Sequence, residues 1–269
     1  MTRITAWRRH PLARYAVLIL ALSLVGMVYA AFVQAGKPAD AALAAGKVDD
    51  VAEGKSLFVL HCSSCHGTNA QGTTTAPTLV GVGAAAVDFQ MSTGRMPAAN
   101  PGAQAPRKPP ARWVNETTTR QIAAYVQSLG GGPQVPGAEQ VDAKLGDAGK
   151  GGELFRANCI QCHNWVGAGG ALTQGKYAPN LNEASPTQIY EAMVTGPQAM
   201  PVFNDTTITP EEKRDMIAYI TQVRAQKDPG GFGLGRIGPV TEGLVAWIVG
   251  ITALVLAAIW ITAKKRQKP

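Results

Sequence analysis

The pattern C-x-x-C-H occurs twice, as Cys62-Ser63-Ser64-Cys65-His66 and as Cys159-Ile160-Gln161-Cys162-His163. Two thiols this close can each add across one vinyl group of a single heme. The histidine that follows is then placed to ligate the iron from the same side of the ring. The chain has four cysteines and the two motifs use all of them, so no thiol is left for a structural disulfide. A zinc site of four thiolates split between the motifs satisfies the spacing, but it gives the trailing histidines no role. A thioredoxin-like dithiol needs a βαβ context that neither motif has. The expectation is two covalently bound heme c groups, on Cys62 with Cys65 and on Cys159 with Cys162, and His66 and His163 as proximal iron ligands.

The opposite face of each iron is decided by what remains. The chain has four histidines; His10 belongs to the basic N-terminal end, and His61 sits on the backbone already committed to the proximal side. The sixth ligand is therefore Met, Lys or nothing. Met96 and Met200 each follow an Ala-Pro-x-Leu element (Ala76 to Leu79, Ala178 to Leu181) and directly precede a proline that stiffens the loop. They are preferred over Met91 and Met193, which read equally as buried apolar side chains; Met216 reads as core. Methionine–histidine ligation with burial gives a high-potential iron that passes single electrons. Pro77 and Pro179 are expected to offer backbone carbonyls to the ligand histidines.

The surroundings of the two motifs repeat. Gly54, Leu57 and Phe58 precede Cys62 at the offsets at which Gly151, Leu154 and Phe155 precede Cys159. A helix is expected to begin near Asp49-Asp50 and run into the first motif. Another is expected from about Thr117 to Leu129, with Ile122, Tyr125, Val126 and Leu129 on one face. A last one runs from Thr209 to about Val223, with Pro210, Glu211 and Glu212 in its first turn. Residues 73–86 read as loop, and the Gly-rich stretch after Gly130 as a linker. A repeat about a hundred residues long means tandem domains rather than a solenoid.

Charge separates the ends from the body. The net charge is +7, but Arg3, Arg8, Arg9, Arg14, Lys264, Lys265, Arg266 and Lys268 lie at the extremes, and between Gln34 and Pro239 acidic and basic residues balance. This gives no support to nucleic-acid binding. The charged ends flank two uncharged apolar stretches, Tyr15 to Val33 and Leu244 to Ala263, each about the roughly 20 residues that cross a bilayer. Trp247 and Trp260 stand near the ends of the second. The positive-inside rule puts both termini in the cytoplasm and the heme motifs outside a cell membrane. The first stretch is a retained anchor or, with Val28-Tyr29-Ala30 suited to a signal peptidase, a cleaved signal. The expected division is 1–14 cytoplasmic, 15–33 anchor or signal, 34–47 tether, 48–130 first domain, 131–149 linker, 150–228 second domain, 229–243 connector, 244–263 transmembrane helix and 264–269 cytoplasmic tail.

Each half resembles a class I cytochrome c: a Gly/aromatic helix before C-x-x-C-H, a Pro-x-Leu loop, a ligand methionine, and a terminal helix with Tyr125 or Tyr219. The whole chain resembles the cytochrome cc subunit of actinobacterial cytochrome bcc complexes (menaquinol:cytochrome c reductases). That likeness rests on longer runs: Phe89-Gln90 with Ser92 to Pro97, Ala103 to Lys108, Gly175 to Pro179, and Thr195 to Gln198. It implies an all-α fold with two tandem class I cytochrome c domains between two transmembrane helices, in which the first and last helices of each domain cross at the small glycine. It also implies partners: the cytochrome b and Rieske iron–sulfur subunits of the complex, and an aa3-type cytochrome c oxidase. The chain would pass electrons from the Rieske centre to that oxidase, as a redox subunit with no bond-making site of its own. The basic loop at Arg107-Lys108 is a candidate docking surface. The rival readings are a cytochrome subunit of a quinoprotein dehydrogenase or of a terminal oxidase, a diheme peroxidase, and a heme-based gas sensor.

Overall fold

The computed structural model describes residues 15, 18–27, 39–100, 102, 104–226, 236 and 239–265. The part up to Asp50 holds an apolar helix α1 (Leu18–Met27) and the first turns of α2 (Ala39–His61). The expected tether is helical from Ala39 onward, because a stretch this rich in alanine, the strongest helix former, continues the helix backwards past Asp49-Asp50. The described part of α1 covers ten residues of the expected first span; residues 16, 17 and 28–33 of that span lie outside the described ones. At the other end, α11 (Pro239–Lys265) contains Gly243–Ala263, 21 residues with none of the apolar window buried, long and apolar enough to cross a membrane.

From Val51 onward the fold is mostly helical and repeats itself. The first half continues α2 into α3 (Ser63–His66), then α4 (Ala84–Ser92) and α5 (Glu116–Ser128). The second runs α6 (Ala138–Val141), α7 (Ala148–Asn158), α8 (Ile160–His163), α9 (Pro186–Thr195) and α10 (Pro210–Ala225). Between α8 and α9 two short strands, β1 (Gly170–Ala171) and β2 (Tyr177–Ala178), pair antiparallel with Gly170 opposite Ala178.

Each half is built on one helix crossing. A Cβ added at Gly54 of α2 would lie 1.9 Å from the Gln121 carbonyl oxygen of α5, and one at Gly151 of α7 would lie 1.9 Å from the Asp215 carbonyl oxygen of α10. Backbones approach this closely only where there is no side chain. The glycine costs about 1 kcal/mol of helix propensity and permits the crossing. One turn further on, an aromatic pair seals each contact: Phe58 with Tyr125 and Phe155 with Tyr219, ring centroids 5.3 Å apart in both. The first core gathers Phe58, Ala70, Val87, Met91, Ile122, Tyr125 and Val126; the second gathers Phe155, Ile189, Tyr190, Met193, Met216, Ile217 and Ile220. Capping boxes start α5 (Asn115 with Thr118) and α10 (Thr209 with Glu212) close to the expected positions.

Sequence reasoning did not anticipate α4 and α9. The loop expected over 73–86 ends at Gly83, and α4 takes up Ala84 to Ala86. α9 carries its own start signal, a Ser185–Gln188 capping box with Pro186 at the first helical position. The expected linker, 131–149, is also mostly structured. Pro133 O accepts from Ala85 N, and Gln127 Nε2 donates to Gly132 O, which holds the linker's start to the first half. Val141 and Ala143 join the second core, Asp147 N donates to Asp215 Oδ1 at 2.7 Å, and the Asp147 side chain caps α7. Glycines here serve close backbone approach: a Cβ on Gly146 would meet the Arg214 carbonyl oxygen at 2.7 Å.

Replacing Gly54 or Gly151 by alanine is expected to destabilise its half by about 1–3 kcal/mol or more, because the listener across the gap is backbone and cannot rotate away. Thermal unfolding followed by circular dichroism should show a midpoint lower by several degrees. Gly102→Ala, whose Cβ would meet nothing closer than 3.8 Å, should leave the midpoint in place.

Candidate heme-binding sites

Both motifs sit at the same break in the backbone. Cys62 (φ −122, ψ −28) ends α2, and Cys159 (φ −121, ψ −29) ends α7 in nearly the same conformation. Each chain then makes one further helical turn, with His66 N donating to Cys62 O and His163 N to Cys159 O. The first cysteine and the histidine stand at i and i+4, on one face of that turn. The chain leaves through a left-handed residue, Gly67 (φ 80) or Asn164 (φ 64). All four thiols are free; Cys65 and Cys162 are exposed, Cys62 and Cys159 half-buried. Burial, then the neighbouring thiol, pushes Cys62 and Cys159 up to about 11. They are therefore protonated thiols at neutral pH, poor in the thiolate that disulfide exchange needs. Among the described residues no three His, Cys, Asp or Glu side chains converge as metal ligands, so the split zinc site is not assembled.

The two histidines are buried and locked. His66 Nδ1 lies 2.8 Å from Pro77 O, and His163 Nδ1 lies 3.1 Å from Pro179 O. A carbonyl only accepts, so Nδ1 carries the proton and Nε2 keeps its lone pair for a metal. Burial pushes His163 below the usual imidazolium range, with the Pro179 carbonyl partly offsetting it. The loop that presents Pro179 is tied down in turn: Leu181 N donates to Gly167 O, Arg224 Nη2 donates to Leu181 O, and Tyr219 OH donates to Trp165 O. Leu79 N donating to Ala70 O is the counterpart in the first half.

In the second half a cavity of about 270 Å³ brings Cys159, Cys162, His163 and Met200 to one place, walled by Phe155, Ile189, Leu181 and Ile220. Met193 lines it too, from within α9, and is buried in the core; Met200 sits half-buried on the loop, its N–H bonded to Pro197 O. In the first half Met96 follows α4, half-buried, with its N–H on Gln90 O, while Met91 belongs to the core cluster. Met216 is buried, as expected. Paired thiols beside a neutral imidazole, an apolar slot and thioethers on its wall form a donor set that fits a covalently held heme.

A family model described as "Cytochrome c" matches residues 51–130, and one described as "Cytochrome C oxidase, cbb3-type, subunit III" matches residues 146–220. Longer likenesses decide between partial resemblances. The "Cytochrome bc1 complex cytochrome c subunit" of Corynebacterium diphtheriae is 42% identical over 95% of this chain and 96% of its own length. That of Mycobacterium bovis is 44% identical over 95% and 92%, and that of Mycobacterium leprae is 48% identical over 78% and 74%. The chain belongs to this family of cytochrome c subunits. It carries cytochrome c domains, binds heme c and serves electron transfer in a membrane respiratory complex.

The two halves of this cytochrome c subunit meet through residues that their repeat does not share. His66 and Pro77 are 11 residues apart, whereas His163 and Pro179 are 16 apart; the extra length forms the β1–β2 hairpin. The Pro-rich segment from Met96 to Glu116 is about twice as long as that from Met200 to Pro210. These two additions touch. Gln104 Nε2 donates to Tyr177 O at 2.6 Å and Tyr177 N donates to Gln104 Oε1 at 3.1 Å, so one side-chain amide pairs with the hairpin backbone as a strand would. Gln198 Nε2 donates to Ala105 O, and Gln188 Nε2 to Ser92 Oγ. As a result Phe89, Thr93, Arg95, Gln104 and Ala105 of the first half line the cavity of the second, an arrangement that reading each half alone does not reveal. Lys108 is partly committed inward, with Nζ on Pro97 O at 2.8 Å and its N–H on Thr93 O, while Arg107 stays exposed.

At the contact between α4 and α9, Asp88 and Glu191 form a carboxyl pair. Glu191 is fully buried, and neither of its oxygens finds an N–H or O–H donor. The pair can hydrogen-bond only if one member carries a proton. Burial, then the Asp88 charge, pushes Glu191 up to about 9 from its ordinary 4.5. The folded state therefore holds a proton that the unfolded chain releases near pH 4.5, and stability falls as pH rises between about 4.5 and 9. Thermal midpoints of the purified protein between pH 6 and 9 should decline with pH. In Glu191→Gln that decline should flatten; an unchanged slope would mean that no shared proton is held there.

Proposed function

We propose that this chain is the diheme electron carrier of a quinol:cytochrome c reductase, taking electrons from a Rieske iron–sulfur centre and handing them to an aa3-type cytochrome c oxidase in aerobic respiration. The two cytochrome c domains, expected at 48–130 and 150–228, each hold one heme c: on Cys62 and Cys65 with His66 and Met96 as axial ligands, and on Cys159 and Cys162 with His163 and Met200. Heme c supplies an iron that gains and loses one electron without bond-making chemistry. The chain's residues do the rest. The thiols anchor the ring, the Pro77 and Pro179 carbonyls hold each imidazole in its metal-binding tautomer, and the apolar walls exclude water and favour the less charged, reduced state.

The observation that carries this reading is the near-full-length likeness to bc1-complex cytochrome c subunits, joined to a histidine lock repeated in both halves. A cytochrome b subunit is the third expected partner. Gly243–Ala263 supports attachment to the cell membrane, with the heme domains on the extracytoplasmic side and both termini in the cytoplasm; the first apolar stretch is a second anchor or a removed signal. A cytochrome subunit of a quinoprotein dehydrogenase, or of a terminal oxidase, is the alternative that keeps the same heme chemistry.

Affinity purification in mild detergent tests the partners. The expected result is a b-type cytochrome, a Rieske protein and an aa3 oxidase recovered together, with quinol-driven oxygen uptake; recovery of a dehydrogenase instead would overturn the respiratory assignment. For the ligands, Met96→Ala and Met200→Ala should each keep their covalent heme, lose one methionine–iron charge-transfer band and lower one midpoint potential. Met91→Leu and Met193→Leu should retain both bands; loss of a band in either would reassign that ligand.

A further inference from the structure

Arg95 is the unexplained group in the second cavity. It is 8% exposed, yet among the described residues no carboxylate lies within ion-pair distance of its guanidinium. It is the one Lys or Arg among the residues lining that cavity, and no Asp or Glu lines it. Its position is fixed from several sides. The guanidinium carbon stands 4.9 Å from the centroid of the Phe89 ring, which lines the same cavity. Thr93 Oγ1 bonds back to Phe89 O, and Gly94 is pressed so closely on the Lys108 carbonyl that a Cβ there would lie 1.9 Å from it. Arg107 adds like charge nearby. A buried cation with a second cation beside it and no counterion is costly, unless an anion arrives with whatever fills the cavity.

The group proposed for that cavity carries two carboxylates, its propionates, on one edge. We propose that Arg95 of the first domain binds a propionate of the heme held by the second domain, so that the second site is completed by a residue from its neighbour. The planar guanidinium matches a carboxylate in two-point geometry. Gln104 and Tyr177, paired with each other across the domain contact, also line the cavity. Arg95 also directly precedes Met96. One short segment of the first domain therefore presents the proposed axial ligand of its own heme and the anion-binding group of the other. This inference rests on the heme-binding reading above and extends it to a residue that the C-x-x-C-H motif does not predict.

The test uses the full chain, in its purified complex, with Arg95→Gln and Arg95→Lys variants. Covalent heme is counted by pyridine hemochrome, redox titration gives the two midpoints, and resonance Raman reads the propionate-bending band. In Arg95→Gln both hemes should remain and the band of one heme should shift. That heme's midpoint should fall by about a tenfold change in its equilibrium constant, or about 59 mV for one electron, because a cation that favours the reduced form is gone. In Arg95→Lys the charge stays but the two-point geometry is lost, so the band should move while the midpoint stays near wild type. Repeating Arg95→Gln with Met200→His, which marks the second heme by its altered spectrum, should place the shift on the marked heme. An unmoved band in both single variants, or a shift confined to the unmarked heme, would overturn the assignment of Arg95. A wild-type count below two hemes would instead overturn the cofactor reading beneath it.

Discussion

The close crossing of two helix pairs is the constraint on which the rest depends. At Gly54 and at Gly151 the backbone of one helix rests on a carbonyl of the other, and each crossing places an aromatic pair one turn further along and a C-x-x-C-H turn after that. The position of every group later used for heme follows from this geometry. The cysteines lie where the crossing helix breaks, and the histidine lies one turn beyond. The proline carbonyl that holds it lies on a loop tied back to the same core by Leu79 or Leu181. Moving the helices apart by one methyl group would therefore disturb the site as well as the packing.

Much of this was legible because it is periodic or local. The glycine and aromatic offsets before each motif, the start of the last helix at Thr209 with Pro210, Glu211 and Glu212 in its first turn, and the carbonyls of Pro77 and Pro179 were all readable from spacing and residue chemistry, and the structure bears them out. The departures have physical causes. Alanine-rich sequence after Gly36 resembles a flexible tether in composition, but it has high helix propensity and continues α2. Glycines after Gly130 resemble a linker, but several serve contacts too close for a side chain. Helices α4 and α9 were missed although α9 has a clear start in Ser185-Pro186; both are short, and their apolar residues are gathered by tertiary packing rather than spread in an obvious stripe.

The domain contact was the least legible part, since it pairs residues on opposite sides of the repeat. The runs that made the family likeness specific, around Phe89, Ser92 to Pro97, Ala103 to Lys108, Gly175 to Pro179 and Gln198, are largely the runs that face each other there. Their sequence is not demanded by a single cytochrome c fold. It answers to the need for one domain to recognise the other, and beside these runs lies a buried carboxyl pair that is compatible with close packing only while it keeps a proton.

The unequal additions to the two domains have a consequence for assembly. A duplicated domain carries the hazard that it pairs with its twin on another molecule, either as a symmetric dimer or as an open chain of head-to-tail contacts. Here the amide of Gln104 belongs to a loop that is long only in the first domain, and the hairpin backbone it meets at Tyr177 is present only in the second. Like cannot pair with like through this surface, and the connection between the domains is held at both ends. The head-to-tail contact thus closes within one polypeptide.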